Sequence, residues 1–74
     1  MEIIKLRERI GWSQSEMARA INCSKTIISH WETGLKKPSG ITTRFFQLLS
    51  SFSDPELKII SKRLETLSKE KSDV

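Results

Sequence analysis

The side chains with most to offer chemically fall in one short run, Ser24-Lys25-Thr26-Ile27-Ile28-Ser29-His30-Trp31-Glu32-Thr33-Gly34. Stepped at about 100° per residue, Lys25, Thr26, Ser29, His30 and Thr33 gather on one side. Ile27, Ile28 and Trp31 gather on the other, with Glu32 on the border. The pattern predicts a helix of roughly two and a half turns. Ser24 suits its N-cap and Gly34 the left-handed residue that closes it. Its outer face is short, polar and basic, where an ordinary solvated helix would mix Glu with Lys. Such a face suits phosphates and the edges of bases.

Other chemistries find little support. One histidine has no second imidazole to share a metal, and one cysteine allows neither an internal disulfide nor a cysteine-based metal site. Cys23 is expected to be a small buried hydrophobe. With no tyrosine, no phosphate-cradling glycine loop and no nucleophile–base set, neither an enzyme nor a cofactor is expected. The aromatics sit on apolar stripes instead of an exposed stacking platform, which argues against RNA. No signal peptide is evident, and no apolar run approaches the ~18 residues of a membrane span. A cytoplasmic protein with no membrane partner is therefore expected, and the sequon at Asn22-Cys23-Ser24 is read as chance.

Charge is uneven. Residues 1–50 hold eight Lys/Arg and four acids, whereas residues 51–74 hold five of each, so the whole net charge of +4 lies in the first part. That favours a polyanionic partner for the opening stretch, although +4 also suits plain solubility.

The elements that must position the polar face can be read in order. Residues 2–10 predict a first helix with Ile3, Leu6 and Ile10 at spacings of three and four, ended by Gly11. Arg7 falls near its apolar edge. Trp12, in the connector, is expected to cover the core. Ser13 and Glu16 have the capping-box spacing, which starts a second helix over residues 14–21 that buries Met17, Ala18 and Ile21. A tight turn at Asn22-Cys23 leads to the polar-faced helix, the layout of a helix-turn-helix. The Leu35–Gly40 connector carries the adjacent cations Lys36 and Lys37. A fourth helix over residues 40–52 puts Phe45, Leu48, Leu49 and Phe52 on its core stripe, leaving Phe46 free for a partner. Ser53-Asp54-Pro55 marks a boundary, with Asp54 as cap and Pro55 at the first helical position. The fifth helix, to about residue 69, carries Leu57, Ile60, Leu64 and Leu67. It either packs back on its own domain or pairs two copies, and a dimer is the favoured reading. The division expected is a core over residues 1–53, a dimerising helix over 54–70 and a frayed tail over 71–74, all within one all-α structural domain of five helices.

Leu6-Arg7, Gly11-Trp12-Ser13-Gln14, Ala18, Ser24, Ile28-Ser29, Trp31-Glu32, Gly34 and Pro38 together resemble the lambda-repressor-like, Cro/XRE-type helix-turn-helix family. The resemblance spans roughly residues 3–52 and departs at Asn22, where glycine is usual. It implies that the helix beginning at Ser24 lies in the major groove of DNA. It also implies an ion pair between Arg7 and Glu32 that periodicity alone does not assign. Small proteins of this kind include phage regulators, restriction-modification controllers and antitoxins.

These readings converge on an expected function, a bacterial or phage-encoded repressor binding an inverted-repeat (palindromic) operator on double-stranded DNA as a homodimer. Lys25, Thr26, Ser29 and His30 are the candidates for base edges. Gln14, Ser24, Thr33, Lys36, Lys37 and Arg44 are the candidates for phosphate, which sets register without reading sequence. Phe46, Leu57, Ile60, Leu64 and Leu67 are the candidate dimer interface. The alternative is an antitoxin-like interaction module, in which binding a toxin or a transcription component through Phe46 and the fifth helix is primary and DNA binding is autoregulatory.

Overall fold

The computed structural model describes residues 3–69; the tail expected over residues 71–74 lies outside the described residues. Five helices follow one another: α1 (Ile3–Ile10), α2 (Gln14–Ala20), α3 (Lys25–Thr33), α4 (Gly40–Ser51) and α5 (Asp54–Lys69). Short polar residues start α2 to α5. The Ser13 hydroxyl accepts from the Glu16 amide while the Glu16 carboxylate accepts from the Ser13 amide, a closed capping box. Ser24 and Ser39 accept from the amides of Ile27 and Thr42 in the same way. The turn between α2 and α3 runs through Asn22 at φ 62°, the left-handed conformation that an asparagine tolerates. Gly34 closes α3 at φ 80°, where a side chain would be strained.

The core is one cluster to which all five helices contribute, built from Ile3, Leu6, Trp12, Met17, Ala18, Ala20, Ile28, Phe46, Leu49 and Leu57. Ala18 and Ala20 are both buried where α2 packs between α3 and α5, and their small side chains allow that approach. Trp12 covers the core as its connector position suggested, and its carbonyl accepts from Arg7 Nη1 at 3.0 Å.

Three expectations need correction. In α4 the buried residues are Phe46 and Leu49, whereas Leu48 is half exposed. The helix is rotated from the expected stripe because the Phe46 ring meets the Trp31 indole edge-on, with centroids 5.8 Å apart at 76°. Phe46 is therefore core and not a dimer contact. In α5, Leu57 is buried and Ile60 and Leu64 pack on the same core, so this helix folds back against α1 and α2. Of the candidate dimer interface, Leu57 is thus spent inside the molecule, Ile60 and Leu64 are partly buried, and Leu67 is half exposed.

The third correction is the cap of α5, which lies one residue earlier than expected. Ser53 donates both its amide and its hydroxyl to Glu56 Oε1, at 3.0 and 2.8 Å. Asp54 is thereby released to meet Arg9, whose Nη2 lies 2.8 Å from Oδ1. Arg9 also donates to the carbonyls of Ser50 and Phe52, so one guanidinium ties α1 to the end of α4 and the start of α5. Nothing in the periodicity of α1 marked Arg9 for that role.

Candidate nucleic-acid interface

The polar face of α3 is positioned from behind. Ile28 is fully buried, and Ile27 and Trp31 are partly buried on the same side. Lys25, Thr26 and Thr33 are exposed, and Ser29 and His30 are half-buried at the flanks. Lys25, Thr26 and Thr33 keep to the arc opposite the core, and Ser29 and His30 border it. The His30 carbonyl accepts from the Lys36 amide at 3.2 Å, which folds the connector back over the end of α3. Thr33, Lys36 and Lys37 consequently line one cleft together with Pro38 and Thr43. Ser24 is exposed at the other end, its hydroxyl oxygen engaged as the helix cap. Arg44 is exposed on α4 but does not line the cleft with the two lysines.

The tilt of α3 is set by Glu32, whose side chain is only 6% exposed. Arg7 Nε donates to Glu32 Oε2 at 2.7 Å, and Nη2 to Oε1 at 3.3 Å, a two-pronged contact between α1 and α3. Burial opposes ionisation of Glu32. The hydrogen bonds from Arg7 and Gln14, with the charge of Arg7, outweigh it and hold the carboxyl below its ordinary value. The hydrogen bond to Glu32 raises Arg7 further above its own ordinary value.

Gln14 departs from its expected place. Its Nε2 donates to Glu32 Oε1 at 2.9 Å, so one of its two amide protons is directed inward at the ion pair. Its second N–H is what remains for phosphate. Cys23 is half-buried in an apolar cleft with Ile21, Trp31, Phe45 and Leu64, and burial pushes its thiol up, away from the reactive thiolate. Among the described residues, no group of three His, Cys, Asp or Glu side chains is placed to hold a metal. No helix among them is long and apolar enough to cross a membrane.

A second helix seated across the first by a tight turn, with a cationic polar face aimed outward, defines a helix-turn-helix DNA-binding domain. Residues 3–42 match the family model described as helix-turn-helix. The chain belongs to this Cro/XRE-type family of DNA-binding transcriptional regulators. No curated protein and no solved structure matches it.

Proposed function

We propose that the protein is a repressor that occupies an inverted-repeat operator as a homodimer. The observation that carries this reading is the outer arc of α3, where Lys25, Thr26 and Thr33 are exposed and Ser29 and His30 are half-buried along its borders. Lys25 and Thr26 stand at the helix start, which in a reading helix reaches base edges. Lys25 can donate to guanine O6 and N7, and Thr26 offers a methyl to thymine or a hydroxyl to a base edge. Gln14, Ser24, Thr33, Lys36, Lys37 and Arg44 supply phosphate contacts. The large apolar side chains left exposed among the described residues are Ile4, Leu35, Ile41, Leu48, Ile59 and Leu67, and those on α5, Ile59 and Leu67, lie on the helix proposed to pair two copies.

Selection of bound duplexes from a random library tests the proposal. The expected product is a palindrome whose half-sites lie about 10 base pairs apart, or a multiple of that. Enrichment of a single unrepeated site overturns the homodimer, and no enrichment overturns DNA reading as the primary role. In that last case the interaction module remains, with a toxin or transcription component as partner on the Ile59 and Leu67 side of α5.

A further inference from the structure

His30 holds an asymmetric position. It sits at the edge of the polar arc of α3, next to Ile27 on the helical wheel. Its Nδ1 is buried and meets no hydrogen-bond partner. Nε2 also meets no partner within the protein, and it is not one of the buried unpartnered atoms, so on this half-buried side chain it is the nitrogen open to an outside partner.

The two nitrogens of a neutral imidazole differ, one being a donor and the other an acceptor. A proton on Nδ1 would bury an N–H with nothing to receive it, the rarer and more costly kind of orphan. Of the two neutral tautomers, the one protonated on Nε2 avoids adding a second buried, unpaired N–H to that of Trp12 Nε1. We infer that His30 meets DNA solely as a hydrogen-bond donor through Nε2, and so selects for guanine, whose N7 and O6 are neighbouring acceptors in the major groove.

This deepens the DNA-reading proposal and rests on it. Purine N7 is the acceptor that guanine and adenine share in the major groove, and guanine adds O6 beside it. Cytosine presents an amino donor there, against which an Nε2–H is mismatched, and thymine presents a single acceptor, O4, beside its methyl group. An asparagine or glutamine would instead both accept and donate, the pairing that singles out adenine. His30 in this form excludes that mode. Its selectivity is for an acceptor, with guanine favoured because two acceptors lie side by side.

Two measurements test the inference separately. On the free protein, long-range nitrogen–proton correlation of the imidazole is expected to show a protonated Nε2 and a bare Nδ1; a protonated Nδ1 overturns the assignment. On a duplex selected from the random library, each purine is replaced in turn by its 7-deaza analogue. One purine per half-site is expected to lose at least about fivefold in affinity with the wild type. With His30→Phe, which keeps a flat ring and removes the N–H, the same replacement should change nothing. His30→Gln serves as a second variant and should move the preference at that position towards adenine. A 7-deaza effect that persists unchanged in both variants overturns the contact. Failure to enrich any duplex overturns the DNA reading, and with it the contact, while leaving the free-protein tautomer as measured.

Discussion

The side-chain amide of Gln14, the first residue of α2, lies 2.9 Å from the carboxylate of Glu32, in the last turn of α3. The same carboxylate receives Arg7 from α1. One nearly buried group thus fixes three helices, and it fixes them at the two places where α2 and α3 would approach a duplex. The placement of the polar face of α3 and the stability of the fold are coupled through Glu32.

Removing the cation from this arrangement leaves a carboxylate that is 6% exposed without its charge partner. Fully buried pairs broken this way lose ~3–5 kcal/mol. Arg7 keeps 19% of its side chain exposed, so water recovers part of that loss. Arg7→Ala is therefore expected to destabilise by about 1–3 kcal/mol, or roughly 5–15 °C in Tm for a domain of this size. Thermal denaturation followed by circular dichroism measures it, and an unchanged melt removes the pair from the account.

Glu32 also sets an acid limit. Its carboxyl is held below the ordinary value in the folded protein, so its contribution is fully present above the unfolded glutamate pKa of about 4.3. That contribution is lost as pH falls below this value and through the lower folded pKa. Glu16 and Glu56 are lowered too, each chiefly by the backbone hydrogen bond of its serine cap, and act in the same direction. Stability measured from pH 6 to pH 3 should fall in the wild type. In Glu32→Gln the fall should be shallower but not absent, because the two caps still titrate. Parallel wild-type and variant profiles would show that Glu32 carries no such linkage.

Arg9 offers a contrast, because its partner Asp54 is well exposed. Exposed pairs contribute about 0–1 kcal/mol, so Arg9→Ala should hardly move the global melt. Its effect should be local, at the α4–α5 junction where it holds the carbonyls of Ser50 and Phe52. Faster amide exchange at Ser53 and Leu57, with the amides of Met17 and Ile28 unchanged, is the expected result. Uniformly faster exchange would mean that the clamp supports the whole fold.

Much of this architecture was legible in the sequence. The serine caps, the left-handed positions and the 3.6-residue periodicity act locally, so α1 to α5 could be placed to within a residue or two. What periodicity could not supply was choice among near-equivalent faces. In α4 both Phe45 and Phe46 satisfy a helical stripe, and only the position of Trp31 in space decides for Phe46. In α5 the Leu57, Ile60 and Leu64 stripe is equally good for a partner helix and for its own domain, and the α1–α2 surface takes it. Gln14 and Arg9 bind groups 18 and 45 residues away, and no local pattern encodes such a contact. The pairing of Arg7 with Glu32 came from family resemblance and not from spacing.

Base contact and phosphate contact should separate by mutation. Lys25→Ala is expected to lose about 1–3 kcal/mol of affinity and to relax preference at one base pair. Lys36→Ala should weaken all duplexes alike and make the salt dependence shallower. If each protomer of a dimer neutralises two to four phosphates, the wild-type log–log salt slope is roughly −4 to −7. Identical sequence profiles for the two variants, read by competition against single-base operator variants, would refute the division of roles.

The most direct test of the central claim is a backbone amide chemical-shift map of the protein titrated with its selected duplex. The largest changes are expected at Lys25, Thr26, Ser29 and His30, with a second set at Gln14, Lys36 and Lys37, and little change along the outer side of α5. Changes confined to Ile59, Leu67 and their neighbours, with α3 silent, would contradict it.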